Sequence, residues 1–261
     1  MRNHGQTLGY AFQAIVIGVM LGGSFYRLQG TPTDIQSLKT LCFQFEAGYF
    51  YLTIVYSIYR YCNELVVFDR ERADHLYKAV PWIISEVIAN LSVNIFFPAL
   101  FSIILYFMVG MRTENLAEHL FIFIAATFLV QLGSIGFALV AASTVREFAS
   151  ASLMANGTSI FFFLSVGYAL LQPPVYVNWI RFINVYWYGF RITAISQFRG
   201  RVFDCIGVTG VAANQCIGDQ VLAGLLIPVG DPLWKYFVPL VGVVIGFNAL
   251  ATVLLAVSEK E

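Results

Sequence analysis

Charge is what this sequence lacks most. Only 11% of its 261 residues are Asp, Glu, Lys or Arg, where a soluble domain carries roughly 25%. A fold of this length without charge on its outside does not stay dispersed in water, so an ordinary soluble globular protein is excluded. So are a disordered segment and a disulfide-rich mini-domain, the latter because there are only four cysteines. Net charge is zero, from 15 Lys+Arg and 15 Asp+Glu. No basic surplus exists to hold a phosphate backbone, so no nucleic-acid partner is expected.

Catalytic signatures are missing as well. No G-x-x-x-x-G-K-[ST] occurs, and Lys39-Thr40 follows Leu38 without phosphate-cradling glycines. Leu164-Ser165-Val166-Gly167 faintly resembles an ATP-cassette signature but lies inside an apolar run. There is no H-E-x-x-H and no G-x-S-x-G, and the histidines are His4, His75 and His119 alone. No metal cluster or nucleophile triad is visible. Glu46 and Glu86 are the deep acids, and nothing in the sequence brings them together. By itself the chain reads as no enzyme.

What is present is apolar: 59% hydrophobic and 16% aromatic residues. A bilayer-crossing helix needs about 20 apolar residues. Six segments qualify, at 8–26, 41–61, 80–109, 116–142, 151–171 and 236–257. The expected fold is an all-α membrane protein, a six-transmembrane-helix bundle in one domain. The third segment is long for a single straight span, since thirty residues reach ~45 Å against a ~30 Å hydrocarbon core. A tilted helix bending near Pro98 is expected. Met1 opens the chain without a signal peptide, and this abrupt start suggests a piece of something longer.

Charge asymmetry orients the bundle. With both termini inside, the inner segments hold Arg2, Arg60, Arg70, Arg72, Lys78, Arg146 and Lys260, and the short outer loops only Arg27, Lys39 and Arg112. The termini are expected to be cytoplasmic. Two segments do not span. One is the 62–79 loop; with Arg60 it carries eight of the 30 charged residues within positions 60–78. It is either a solvated loop or a short docking helix for a soluble partner, with Glu71/His75 and Asp74/Lys78 as i,i+4 pairs.

The other is the outer loop 172–235. It opens on Pro173-Pro174 and then interleaves Trp179, Phe182, Tyr186, Trp187, Tyr188 and Phe190 with Arg181, Arg191 and Arg199. That composition suits a helix lying in or dipping into the outer leaflet. Cys205 and Cys216 fall in the same loop, eleven apart. An oxidising exterior would let them pair; otherwise they are two free thiols. Asn90-Leu-Ser92 and Asn156-Gly-Thr158 match the glycosylation pattern but fall within or at the inner end of spans, and are read as chance. Gly18-x-x-x-Gly22 and Gly242-x-x-x-Gly246 would let helices pack closely.

Several segments together resemble one family. Glu64-Leu-Val-Val-Phe68-Asp-Arg70-Glu71-Arg72 with Leu76-Tyr77 resembles the loop after the second span of G-subfamily (White/pleiotropic-drug-resistance type) ABC exporters. Tyr106-Phe-Met108-Val-Gly110 resembles that family's close of the third span. Ser165-Val-Gly167, the Pro pair, Trp179, Tyr188-Gly-Phe190 and Gln197-Phe198-Arg-Gly200 resemble its fifth span and outer re-entrant helix. Cys205 and Cys216 fit its large last outer loop.

This resemblance, covering essentially the whole chain, implies a transmembrane domain that works as a homo- or heterodimer. Its nucleotide-binding domain is absent from the sequence and would hold ATP and magnesium elsewhere. It implies a cytoplasmic coupling helix resting on that domain through Glu64, Arg70, Glu71, Arg72 and Tyr77. It also implies a substrate cavity between the second and fifth spans. Carried over, the cavity residues are Phe45, Tyr49 and Leu52 with Asn156, Ile160, Phe163 and Gly167, each set spaced to share a helix face. The bulky apolar pair that often closes the cavity is here Tyr168-Ala169.

The implied function is ATP-driven export of lipid, sterol or drug-like molecules by alternating access, from a multi-pass position in the plasma membrane among membrane lipid. An ion-coupled transporter or channel would want acids facing one another at mid-membrane. A non-transporting scaffold is the third reading.

Overall fold

The computed structural model describes residues 4–28, 31–76, 78–168, 170, 171, 174, 178–203 and 217–257. These are almost wholly helical. Among them no strand forms, and a single bridge pairs Val202 with Ile217. The first helical stretch has three consecutive pieces: α1 (His4–Phe12), a π-helical turn (Gln13–Ile17) and α2 (Gly18–Ser24). Then come α3 (Pro32–Ala73), α4 (Ala79–Val109), α5 (Leu116–Thr144) and α6 (Phe148–Ser165). A 3-10 turn (Asn178–Phe182) leads into α7 (Val185–Phe198), followed by α8 (Gly218–Gly224) and α9 (Trp234–Val257).

Among the described residues, α4, α5, α6 and α9 are long and apolar enough to cross a membrane, and Leu8–Ser24 is a shorter apolar helix. The chain is an integral, multi-pass membrane domain. The expected second span lies inside α3, whose apolar run is interrupted by Gln44, Glu46 and several tyrosines. At 42 residues α3 is ~63 Å long, twice the ~30 Å hydrocarbon thickness.

Local chemistry sets the ends of these helices. The Thr31 hydroxyl accepts from the Asp34 N–H at 3.3 Å, and the Asp34 carboxylate accepts from the Thr31 N–H at 3.0 Å. With Pro32 at the first helical position, this capping box starts α3. α4 ends at Gly110, which takes φ 73° and donates its N–H to the Tyr106 carbonyl, a left-handed stop that glycine adopts without a Cβ clash. α4 runs through Pro98 as one continuous helix.

α5 is the centre of the bundle. It packs against α3, α4, α6, α7 and α9. Close approach depends on its small residues: a Cβ at Gly133 would stand 2.8 Å from both Val185 methyls. The aromatic core lies between α3, α4 and α5, where Tyr49 stacks on Phe101 at 4.1 Å and Phe45 meets Phe123 at 5.1 Å. Gly22 serves as a close-packing glycine, since a Cβ there would come within 2.8 Å of Met108 Cβ. Gly242 and Gly246 do not, having nothing within 4 Å.

One expectation is corrected and another is refined. The segment read as a coupling loop with its own short helix is, as far as Ala73, the continuation of α3. The helix ends there and His75 takes φ 58°, so the i,i+4 spacing of Glu71/His75 and Asp74/Lys78 no longer applies. The aromatic-Arg segment divides: Trp179 and Phe182 of the 3-10 turn are exposed, while α7 goes into the bundle. Every residue of α7 except Trp187 and Arg191 is buried, and the helix packs against α3, α5 and α9.

Candidate functional site

The charged end of α3 is tied to the rest of the bundle residue by residue. Arg60, almost fully buried, donates through Nη2 to Glu86 on α4, and its Nε lies 3.6 Å from Glu64 Oε1. Asn90 also donates to the Glu86 carboxylate, at 2.6 Å. Two carboxylates thus share one guanidinium. Burial pushes the Glu64 carboxyl, just beyond the 41–61 span, up to about 7; Arg60 opposes this and Glu86 adds to it.

Three more contacts follow down the helix. The Phe68 ring packs on Trp82 at 5.0 Å. Asp69 takes a two-pronged ion pair from Arg146. Arg72 Nη1 donates to the Leu255 carbonyl of α9 at 2.6 Å.

The five expected coupling residues therefore divide. Glu64 and Arg72 are engaged inside the chain. Arg70 is exposed and Glu71 half-buried. Tyr77 lies outside the described residues, as do Cys205 and Cys216. The partners on the other elements, Glu86, Asn90, Arg146 and the Leu255 carbonyl, were not placed by sequence reasoning. Spacing along one helix carries no information about which other helix supplies a partner.

The expected cavity residues divide as well. Phe45 and Tyr49 are fully buried, with their rings against α4 and α5. They pack the core of this chain and form no open wall. Leu52 is exposed. On α6, Ile160 is exposed and Asn156 and Phe163 are half-buried, off the stripe Ala151, Ala155, Ser159, Phe162 that packs inward; Gly167, also half-buried, lies past the end of α6 and takes φ 91°. α3 and α6 run antiparallel, as shown by three ring pairs along their seam: Phe43–Tyr168 at 5.0 Å, Tyr51–Phe163 at 6.5 Å and Tyr59–Phe148 at 5.7 Å.

Beside this seam runs an open groove of about 490 Å³ between α1, the π-helical turn and α3. Phe12, Ile17, Leu52, Val55, Tyr56, Tyr59 and Phe148 line it. Its one amide side chain is held: Gln13 Nε2 donates to the Tyr49 carbonyl and to Thr53 Oγ1, both at 2.8 Å. Tyr56 lies over Gly9, where a Cβ would stand 3.2 Å from its ring. The groove therefore presents apolar and aromatic surface, suited to stacking and apolar contact.

The described residues thus form a helical membrane bundle with an ionic cluster toward one end of α3 and an open apolar groove. The model of the ABC-2 type transporter family matches residues 1–198, and the chain belongs to that family. Its relatives include ABC transporters of the G family. Over 217 residues it is 28% identical to an uncharacterised ABC transporter ATP-binding protein/permease of Saccharomyces cerevisiae, covering 80% of this chain and 16% of that protein. Over 257 residues it is 22% identical to the broad substrate specificity ATP-binding cassette transporter ABCG2 of Rattus norvegicus, covering 94% of this chain and 38% of the relative. The protein white of Ceratitis capitata is 24% identical over 255 residues, with coverage of 95% and 37%. The chain thus spans well under half the length of these relatives.

Proposed function

We propose that this chain is the membrane-spanning domain of an ATP-driven exporter of hydrophobic or amphipathic molecules, such as lipids, sterols or flat drug-like compounds. It works by alternating access as a dimer of like or unlike halves. A nucleotide-binding domain, holding ATP and magnesium, rests on the charged end of α3 and its turn into α4. The termini and that end face the cytoplasm, in the plasma membrane. Family membership supports transport.

The observation that carries the substrate class is the groove of about 490 Å³ beside the α3–α6 seam. Its volume suits one drug-sized ligand, and its lining is apolar and aromatic. An ion-coupled reading has less support, because Arg60 and Asn90 already engage the Glu86 carboxylate, which a bound cation would need bare.

The test is substrate-stimulated ATP hydrolysis by the complete transporter in liposomes. Leu52→Trp fills the groove and is expected to weaken stimulation by apolar compounds by about tenfold, a loss of ~1.4 kcal/mol of binding, with basal hydrolysis unchanged. Undiminished stimulation would move the substrate surface elsewhere.

A further inference from the structure

The turn between α5 and α6 holds a side chain that makes two kinds of contact at once. Arg146 Nη1 lies 3.3 Å from the carbonyls of Ala142 and Ser143, closing the last turn of α5 where a cation is favoured. The rest of its guanidinium reaches α3: Nε donates to Asp69 Oδ2 at 2.9 Å and Nη2 to Asp69 Oδ1 at 3.2 Å. Two parallel bonds between planar groups fix orientation as well as distance, which one lysine–carboxylate contact does not.

α6 is thinly packed. Its inward residues are the stripe Ala151, Ala155, Ser159, Phe162 and Ser165. Of its most apolar stretch 28% is buried, between 22% for α9 and 50% for α5. α6 also meets α3 through the ring pairs Tyr59–Phe148 and Tyr51–Phe163, and what the fork adds to these is a fixed orientation at the helix start. That start lies two residues from Arg146. The Asp69 side of the fork sits on the segment already fastened by Phe68–Trp82 and by Arg72 to the Leu255 carbonyl.

Both members of the pair are partly exposed, at 30% and 42% of their side-chain surface. Such pairs add little to stability, so the value of this one is geometric.

We propose that the Asp69–Arg146 fork is the joint through which the charged end of α3 carries α6 with it, making positioning residues of both. This rests on the proposed function for the identity of what drives the charged end. The geometry itself is independent of it.

The test uses the complete transporter in lipid, with spin-bearing unnatural amino acids at His75 and Ala149, both exposed. In the unmodified pair the 75–149 separation is expected to be narrowly distributed and the same with and without trapped nucleotide. Asp69→Asn removes the fork and leaves the α5 cap. It should broaden the distribution and lower the ratio of substrate-stimulated to basal ATP hydrolysis by about fivefold or more, with the thermal midpoint unchanged.

Asp69→Glu, which keeps the charge at a changed reach, should broaden it less. The exchanged pair Asp69→Arg with Arg146→Asp should restore the narrow distribution. A separation that shifts on nucleotide trapping, a distribution that stays narrow in Asp69→Asn, or an exchanged pair that stays broad overturns the joint. If substrate never stimulates hydrolysis while broadening and restoration are seen, the export reading fails and the joint stands.

Discussion

Thr40 and Tyr168, 128 positions apart, share a hydrogen bond of 2.6 Å where the chain leaves α6 beside the start of α3. Gln36 donates to the same phenol oxygen at 3.3 Å, and the Tyr168 ring stacks on Phe43. Tyr168, the first residue of the pair that the resemblance sets at the cavity's close, thus fastens the chain after α6 to α3. Tyr168→Phe should lower stability by about 0.5–1.5 kcal/mol. Thr40→Val should cost a similar amount, and the double variant clearly less than the sum. Thermal melting of the four proteins of the cycle checks this; strict additivity would mean that the bond contributes nothing.

The Arg60–Glu86 pair joins α3 to α4 with little access to water. Removing one partner strands the other: Arg60→Met should destabilise by about 3–5 kcal/mol. Arg60→Met with Glu86→Leu should recover part of that, because Glu86 no longer needs a partner while Glu64 still lacks its guanidinium. Denaturant or thermal unfolding in detergent measures both, and a double variant as unstable as the single one would show that the pair is not the source of the effect.

Glu64 holds its proton up to about 7 in the folded chain, while an exposed glutamate loses it near ~4.3. Between those values the folded state binds more protons than the unfolded one, so stability falls as pH rises through the window. The melting temperature should drop by a few degrees from pH 5 to pH 7.5. In Glu64→Gln, which has no proton to lose, that part of the slope should vanish. An identical slope in both proteins would place the titration elsewhere.

Gly22 and Gly246 offer a contrast within one type of motif. Gly22→Leu drives a side chain into Met108 and should cost about 1–3 kcal/mol. Gly246→Leu meets nothing within 4 Å and should change folding yield and melting little. Equal losses at the two sites would mean that local helix effects outweigh packing.

Much of the class was legible in the chain before any fold was known. Scarcity of charge together with apolar runs of about 20 residues points to helices, which pair their backbone amides within the run where a bilayer offers no water. The Thr31–Asp34 capping box and the glycine stop at Gly110 lie within a few residues of their effects, so spacing alone announces them. The Glu64–Arg72 stretch stood out as a charge cluster for the same reason.

Which way α3 turns its faces is another matter. Aromatic residues occur on several sides of it, so Phe45 and Tyr49 share a face in any reading. Only the position of α4 and α5 decides that this face is the core, while Leu52 borders the groove. The partners Glu86 for Arg60, Arg146 for Asp69 and the Leu255 carbonyl for Arg72 lie 26, 77 and 183 positions away. Apolar periodicity and local hydrogen bonding are short-range and can be read along a strand of letters. Pairing of charges across helices depends on which elements the tertiary packing sets side by side, and that is decided in space.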